Sequence, residues 1–343
     1  MKHKKHLTRS LFLVTLLCIS LLSGCVSAEK EAVSSLDIFA MDTYMTVTAY
    51  GPEGEKATKE AVSEIERLDA LLSTGNSDSE IYQINENQGG SLGPDAVYLF
   101  ERSMELWKQT GGLFDIAIYP VMKAWGFTDQ NYQVPKEDTL TDLLKLADPD
   151  KILYDEEKQE LQLEEGMAID FGGIAKGYTS SRIMDIYRDC GVSSGLVSLG
   201  GNVQALGSKP DGSSWKIAIQ NPDPDADYLG VLQIVDKAVI TSGGYERYFE
   251  QDGKNYHHII DPATGYPAEN GLLSVTIISA DGTLADGLST SLFIMGKEKA
   301  CEFWREHKEA FDFILLDQDE NLWISEGIEK TFTSEQFHIN IVK

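Results

Sequence analysis

Hydrophobic residues recur at two spacings along this chain, and the spacing changes several times between the termini. Over residues 53–72, alanine, isoleucine and leucine return every three or four positions, which predicts an amphipathic helix. A second such segment opens at Pro94 and ends at the Gly111-Gly112 pair. Two more helices are predicted over residues 283–295 and 297–307. Each of these helices needs a hydrophobic core on one side.

Short runs of β-branched and aromatic residues lie between the helices and predict strands. The predicted strands cover residues 39–50, the surroundings of Ile152 and Leu161, and residues 196–203, 215–220, 230–235, 238–242, 245–250, 256–260, 273–279, 311–316 and 322–325. Residues 126–150 are polar, and we expect an excursion with one short helix near Leu143. The order predicts an α+β fold: a mixed sheet with flanking helices, antiparallel-rich in its second half, in one large domain or two intimate lobes.

The N-terminus carries an export signal rather than a fold element. Basic residues among the first nine precede an apolar run over residues 11–22, which is too short to span a bilayer because a span needs about 20 apolar residues. The run ends in Leu22-Ser23-Gly24-Cys25, which looks like the lipobox of a bacterial lipoprotein; an ordinary cleaved signal is the alternative. We therefore expect a signal peptide over residues 1–24, a lipidated Cys25 with a tether to residue 36, and a folded domain over residues 37–343 on the extracytoplasmic face of the cell membrane.

Composition limits the partners of this chain. The formal net charge is −26, and a polyanion repels phosphate backbones, so we expect no nucleic-acid partner. An anionic nucleotide would need a metal ion, a lysine or a helix N-terminus at its site. Of the four cysteines, Cys18 lies in the signal and Cys25 takes the lipid. Pairing of Cys190 with Cys301 stays open, and no spacing of Cys and His predicts zinc.

Three glycine-rich segments follow predicted strands. They are residues 170–178 (Asp-Phe-Gly-Gly-Ile-Ala-Lys-Gly-Tyr), 198–202 (Ser-Leu-Gly-Gly-Asn) and 241–245 (Thr-Ser-Gly-Gly-Tyr). Glycines let the backbone approach a ligand and direct N–H groups at an anion, and Lys176 adds a positive charge at the start of a helix. Each segment alone is more often an ordinary turn or bulge. Together the three favour one extended crevice for a dinucleotide-sized ligand.

Two other segments offer oxygen and nitrogen ligands. Asp286 and Thr290 lie four residues apart on one face of a predicted helix, and their oxygens suit a hard cation such as Mg²⁺. The alternative for Asp286 is a favourable interaction with the helix dipole. His257 and His258 precede an Asp-Pro-Ala-Thr-Gly turn that would hold one ring at the mouth of a site. A purely structural role is the alternative for either ring.

The order of these motifs resembles the ApbE family, the FAD:protein FMN transferases. The resemblance spans about residues 37–330 and rests on Met41-Asp42-Thr43, Leu113-Phe114-Asp115, residues 170–178, 198–202, 242–245 and 258–265, and Ala285-Asp286-Gly287-Leu288-Ser289-Thr290. It implies an ApbE-like, T-fold-related mixed sheet. It also implies Mg²⁺-dependent transfer of FMN from FAD to a threonine or serine hydroxyl, with release of AMP. The implied target is a flavin-carrying subunit of a membrane redox complex or an extracellular flavoprotein.

The resemblance also assigns roles to individual positions. FAD contacts are implied for Met41, Leu113, Phe114, Asp115, Asp170, Lys176 and Ile260. Magnesium ligands are implied for the main-chain carbonyl of Gly173 and the side chains of Asp286 and Thr290, with Ser289 as a further candidate. His258 resembles the base that activates the target hydroxyl, and an imidazole suits that task near neutral pH. Gly75 stands where the family commonly has an aromatic contact to FAD, so Tyr82 replaces that ring or the pocket is more open.

Two other functions fit the same residues. If water replaced the target hydroxyl, the chain would hydrolyse FAD to FMN and AMP with the same metal ligands. A non-catalytic, flavin-binding lipoprotein is the third hypothesis. It predicts FAD binding that survives Asp286→Ala and never yields AMP.

Overall fold

Helices and strands alternate irregularly along residues 32–343, the part of the chain that the computed structural model describes. The strands are, in chain order, β1 (Val33–Ala40), β2 (Thr43–Tyr50), β3 (Gly89–Ser91), β4 (Leu153–Asp155), β5 (Glu160–Gln162), β6 (Gly195–Leu199), β7 (Asn202–Leu206), β8 (Trp215–Ile219), β9 (Gly230–Ile234), β10 (Ala238–Gly243), β11 (Tyr248–Gln251), β12 (Lys254–His257), β13 (Leu272–Ser279), β14 (Asp312–Asp317), β15 (Leu322–Ser325), β16 (Phe332–Thr333) and β17 (Ile339–Val342). The helices are α1 (Gly54–Leu72), α2 (Glu80–Asn87), α3 (Pro94–Gln109), α4 (Tyr119–Trp125), α5 (Glu137–Leu144), α6 (Ala175–Asp189), α7 (Gly282–Met295) and α8 (Lys297–His307).

A nine-stranded sheet of order β1-β2-β6-β7-β10-β13-β14-β15-β17 forms the centre of the fold. Its neighbouring strands are antiparallel except for the parallel pair β15 and β17. Helices cover one face, and the small sheet β16-β9-β8 covers the other. Strand alternation produces this division: in β10 the side chain of Ile240 packs under α7, while that of Val239 packs against the small sheet.

Helices α1 and α6 pack together over the β1–β2 end of the sheet. Ala61 and Ile65 of α1 meet Val47 of β2 and Tyr187 of α6 in one fully buried cluster. Helix α7 packs over β10 and β13 and contacts α6 along its side. The strands therefore fix α6 and α7 side by side, and the start of α6 comes next to the first two turns of α7.

The predicted mixed sheet with flanking helices is confirmed, and several boundaries differ. Residues 39–50 form a hairpin rather than one strand, because Met41 and Asp42 adopt positive φ angles of 47° and 59° and turn the chain. Residues 33–36, expected as tether, belong to β1 and pair with β2. Helices α2 and α4 and strands β3, β16 and β17 were not predicted, since each is short. Short elements are fixed by tertiary packing rather than by periodicity.

Residues Val33–Lys343 form one compact unit, so the two lobes that the sequence allows are not separate bodies. No helix within residues 32–343 combines the length and the apolar character that crossing a bilayer requires. Cys190 and Cys301 are both free and buried, and they lie in different hydrophobic clusters. The predicted signal peptide and the lipidation site at Cys25 lie outside the described residues.

Candidate active site

The carboxylate of Asp286 lies at the centre of the site. Its Oδ2 accepts a hydrogen bond of 2.7 Å from the backbone N–H of Gly177, and its Oδ1 accepts one of 3.1 Å from Nδ2 of Asn202. The residue is only 6% exposed, and within residues 32–343 no basic side chain forms an ion pair with it. Burial raises the pKa of Asp286 to about 6, and the positive charge of Lys176 partly opposes this shift. A buried carboxylate without an ion-pair partner suits a bound cation.

Three hydroxyl groups form a cluster beside the main chain that follows Asp286 on α7. The Oγ of Ser242 at the end of β10 lies 2.7 Å from Oγ of Ser289 and 3.3 Å from Oγ1 of Thr290. Ser289 also donates to the main-chain oxygen of Asp286 at 2.8 Å. Ser289 is fully buried, whereas Thr290 keeps partial exposure. Of the two neighbouring hydroxyls on α7, that of Thr290 is therefore the one open to a ligand.

The three glycine-rich segments converge on α7. Gly177 from the first and Asn202 from the second bind Asp286, and Ser242 from the third contacts the hydroxyls one turn later. The structure thus brings the three segments together at one helix, and the predicted crevice for a dinucleotide-sized ligand stays a prediction. Their glycines permit the approach: a Cβ on Gly177 would lie 2.6 Å from Cβ of Asp286 and would overlap the carbonyl oxygen of Gly282.

Phe114 connects the turn at Gly173 to the same helix. A Cβ on Gly173 would lie 3.2 Å from Cε2 of Phe114, and a Cβ on Gly287 would lie 3.4 Å from that atom. The ring therefore lies against both backbones, which places the turn beside α7, as the metal prediction requires. Phe114 itself is buried, and Leu113 packs partly buried against the same core. The ring of Phe114 therefore packs against the Gly173 turn and supports it.

Asp115 and Asp170, both predicted to contact FAD, come together through the backbone. The N–H of Asp170 donates to the carbonyl oxygen of Ile116 at 3.0 Å. Asp115 accepts from the N–H of Ala117 at 2.7 Å, and Asp170 accepts from the N–H of Gly172 at 3.0 Å. Burial raises the pKa of both carboxyl groups, that of Asp115 to about 6. Hydrogen-bond acceptors at this place suit the N–H and O–H groups of a nucleoside.

The two adjacent histidines have different surroundings. His257 lies against Phe293 of α7, and both its ring nitrogens are engaged, Nε2 with the carbonyl oxygen of Ala268 and Nδ1 with the N–H of Ile259. In His258, Nδ1 lies 3.2 Å from the carbonyl oxygen of Arg247. A carbonyl oxygen only accepts, so Nδ1 carries the proton and the Nε2 of a neutral ring keeps its lone pair. His257 is structural, and His258 is available as a base.

Burial lowers the pKa of His258 to about 3, and the positive charge of Arg247 adds to this effect. The imidazole is therefore neutral throughout the physiological range. Its position is fixed by the turn after it, because Nε1 of Trp125 donates to the carbonyl oxygen of Gly265 at 2.8 Å. Trp125 is fully buried in an aromatic cluster that includes Phe127, and this ring also contacts His258.

Two cations face the site in a chain that is strongly acidic overall. Lys176, on the first turn of α6, affects the pKa values of Asp286, His258 and Glu246. Arg247 affects those of Asp170, His258 and Glu246. Both cations thus act over the same region. Together with the exposed Gly172-Gly173 turn at the N-terminus of α6, they supply the positive potential that an anionic nucleotide needs.

Met41 and Ile260 lie at the periphery of this arrangement. The Met41 N–H donates to Asp69 at 3.0 Å, and its sulfur lies 3.9 Å from the hydroxyl of Thr179 on α6. Ile260 is 5% exposed and packs with Trp125 in the aromatic cluster, so its side chain supports the His258 turn.

Near Gly75, where the family's aromatic contact to FAD is missing, lies a tyrosine that the sequence did not indicate, Tyr119. Tyr82 is partly exposed on α2. Tyr119 is buried, and both the hydroxyl of Thr74 and the charge of Asp170 affect its pKa, which burial raises. Tyr119 therefore lies between the Gly75 loop and the Asp170 turn.

A magnesium ion fits the donor set around Asp286. Mg²⁺ is usually held by one or two carboxylates together with substrate phosphates. The site offers one buried carboxylate, the hydroxyl of Thr290 and the neighbouring turn at Gly173. Within residues 32–343 there is no cluster of three or more His, Cys, Asp or Glu side chains that could hold a metal ion by itself. Phosphate oxygens of a bound nucleotide would have to complete the coordination.

Sequence reasoning missed the roles of Ser242, Glu246 and Arg247. Ser242 is the second-to-last residue of β10, and Glu246 and Arg247 follow the third glycine pair, so their position beside a glycine-rich strand end was the available signal. Burial raises the pKa of Glu246 to about 7, with Asp286 acting in the same direction and Lys176 against it.

The site combines a buried carboxylate and paired hydroxyls with cations near a helix N-terminus and a neutral histidine. On a mixed α+β sheet, this combination defines a nucleotide-dependent transferase site. The chain belongs to the ApbE family, whose sequence profile matches residues 41–315.

Curated relatives cover most of the chain. A Klebsiella pneumoniae protein described as FAD:protein FMN transferase is 36% identical over 266 residues, which is 76% of this chain and 82% of that protein. A Treponema pallidum protein of the same description is 32% identical over 294 residues, 80% of this chain and 81% of the relative.

A solved structure shows the same fold. The crystal structure of the ApbE protein from Thermotoga maritima superimposes with a TM-score of 0.81 at 30% sequence identity, and the match covers 86% of this chain and 98% of the other.

Proposed function

We propose that this chain transfers FMN from FAD to a threonine or serine hydroxyl of a target flavoprotein and releases AMP. The observation that carries the proposal is the contact of Asp286 with Gly177 and Asn202, which joins a cation site to a glycine turn at a helix N-terminus. The relatives from Klebsiella pneumoniae and Treponema pallidum are both described as FAD:protein FMN transferases.

The reaction needs one proton acceptor and one stabilised leaving group. The oxygen of the target hydroxyl forms a bond to the phosphorus of the FMN half, and the bond from that phosphorus to the bridging oxygen of the AMP half breaks. The hydroxyl proton passes to Nε2 of His258, and AMP leaves with the bonding electron pair. The neutral His258 ring keeps its Nε2 lone pair free for this proton, and the negative charge of a bound diphosphate would raise the pKa of the ring from its lowered value towards the range that a general base needs.

Asp286 and Thr290, with the carbonyl oxygen of Gly173, would hold the magnesium ion. When bound, Mg²⁺ would neutralise negative charge on the diphosphate and on the departing AMP. The ammonium group of Lys176, on the first turn of α6, would bind the same phosphates directly. Asp115 and Asp170 accept hydrogen bonds from the nucleoside parts of FAD.

The proposal extends to location and target. Residues 22–25 have the lipobox pattern, so we place a lipid on Cys25 and the enzyme on the extracytoplasmic face of the cell membrane. The target is then a flavin-carrying subunit of a membrane redox complex or an extracellular flavoprotein. Expression of the full chain and of Cys25→Ala tests the anchor: the variant should leave the membrane fraction, and an equal distribution of both would contradict it.

The test of function is incubation of the protein with FAD, Mg²⁺ and a co-expressed redox subunit, followed by mass spectrometry of that subunit. FMN attached to a threonine or serine, with one AMP released for each, supports the proposal. Free FMN with unlabelled target would indicate a pyrophosphatase instead. FAD binding without AMP, unaffected by Asp286→Ala, would indicate a flavin-binding protein without catalysis.

A further inference from the structure

Ser242 has a place in the site that the transfer reaction alone does not explain. It is the second-to-last residue of β10 and pairs with Val275 of β13. Its side chain faces α7, whereas the hydroxyl of the preceding Thr241 lies 2.8 Å from that of Thr276 on β13. The two adjacent hydroxyls thus have separate partners, which makes Thr241 a matched reference for Ser242.

The protons of the hydroxyl cluster can be assigned from its contacts. Each hydroxyl has one proton to donate. The main-chain oxygen of Asp286 can only accept, and with the Ser289 proton directed to it at 2.8 Å, Ser242 is the donor at the 2.7 Å contact with Ser289. Ser242 has then used its own proton. At the 3.3 Å contact it can only accept, and the donor there is Thr290.

This assignment leaves Thr290 with free lone pairs. Within residues 32–343, Ser242 is the hydrogen-bond partner of the Thr290 hydroxyl. A hydroxyl that binds a cation must direct its proton elsewhere, and the partly buried oxygen of Ser242 is the acceptor for that proton. Ser289 is 0% exposed, so solvent does not compete with Ser242 for the lone pairs of the Ser289 hydroxyl.

We propose that Ser242 is a positioning residue for the cation: it accepts the proton of Thr290 and so turns the lone pairs of that hydroxyl towards the metal. The inference rests on the proposed function, since it takes Thr290 as a metal ligand. It adds a residue from β10 to a cation site otherwise built on α6, α7, Asn202 of β7 and the Gly173 turn. Ser289 acts one step further away, as the acceptor that orients Ser242, rather than as a ligand.

The experiment measures Mg²⁺ affinity by isothermal titration calorimetry on the FAD-bound full chain. Loss of a group that orients a metal ligand typically weakens metal binding by 10- to 100-fold. We expect Ser242→Ala to weaken Mg²⁺ binding by about tenfold or more, and Ser242→Thr, which keeps the hydroxyl, to restore it to within about threefold. Thr241→Val, which removes the adjacent hydroxyl on the other face of β10, should bind Mg²⁺ as the wild type does.

Unchanged Mg²⁺ affinity in Ser242→Ala overturns the inference, and so does an equal loss in Thr241→Val. If Ser242→Ala does not fold, Ser242→Cys replaces it, because a thiol of similar size is a poor acceptor; wild-type affinity in that variant overturns the inference as well. The proposed function fails in a different way, through a wild-type protein that binds Mg²⁺ and FAD but labels no target.

Discussion

The backbone nitrogen of Gly177 lies 2.7 Å from Oδ2 of Asp286, so the main chain of α6 directly contacts a side chain of α7. The approach exists because position 177 has no Cβ. The same contact satisfies a buried carboxylate oxygen and fixes the start of α6 against the cation site. The same contact therefore determines both the packing of α6 on α7 and the geometry of the site. A change at either residue should affect both.

Gly177→Ala should destabilise the fold and weaken metal binding together. The added methyl group overlaps the carbonyl oxygen of Gly282, and overpacking of this kind costs about 1–3 kcal/mol. Urea unfolding and Mg²⁺ titration measure the two effects. Gly75→Ala is the control, because a Cβ there meets only Oγ of Ser73, at 4.0 Å. A Gly177→Ala protein of wild-type stability would contradict the packing argument.

Asp286→Ala should abolish stabilisation by Mg²⁺. A ligand at about 100 times its dissociation constant stabilises a folded protein by about 2.7 kcal/mol. We expect Mg²⁺ to raise the thermal unfolding midpoint of the FAD-bound wild type and to leave that of the variant unchanged, with no AMP formed. Asp185→Ala removes an exposed carboxylate from α6 and should behave as the wild type does. Retained stabilisation in Asp286→Ala would show that the cation binds elsewhere.

The depressed pKa of His258 predicts a pH dependence of stability. The folded protein holds this ring neutral down to about pH 3, whereas an unfolded histidine takes up a proton near pH 6.5. The unfolded chain therefore binds more protons below pH 6.5, and the stability contributed at this position is lost as the pH falls. Urea unfolding at pH 7 and pH 5 should show that His258→Gln gains stability relative to the wild type at the lower pH.

Nuclear magnetic resonance gives an independent check of the same group. The ring signals of His258 should stay constant between pH 7 and pH 5 in the protein without FAD. An apparent pKa near 6.5 for this ring would contradict the burial argument. In transfer assays His258→Ala should slow flavinylation while FAD affinity is largely kept. Equal loss of both would make the histidine structural.

Gly75→Tyr should tighten FAD binding. Position 75 is open, and the φ angle of Gly75 is not positive. The hydrogen bond from Gly75 to Ser73 uses only the backbone N–H of Gly75. The fold should therefore change in stability by no more than about 0.5 kcal/mol. An aromatic contact is worth about 0.5–1.5 kcal/mol, so fluorescence titration should show about 2- to 12-fold stronger FAD binding than for Gly75→Ala. Unchanged or weaker binding would mean that the family's ring position is not used here.

Much of the secondary structure follows from local pattern. Helix α8 covers the predicted residues 297–307, and α1, α3 and α7 begin or end within two residues of the prediction. In these segments the apolar spacing and the capping residues act within one or two helical turns, so the sequence alone contains the information. The hairpin turn at Met41 was missed because the left-handed conformation of a methionine is imposed by its surroundings and has no local signal.

For the site, the sequence determined which chemical groups are present: a carboxylate and a hydroxyl on one helix face, glycine turns, a lysine and two histidines. Only the tertiary structure decided which of them meet. The direction of β10 brings Ser242 to α7, the absence of a Cβ at Gly177 admits α6, and the carbonyl oxygen of Arg247 distinguishes His258 from His257. These contacts join residues far apart in the chain, and their distances depend on packing between elements, which no local pattern encodes.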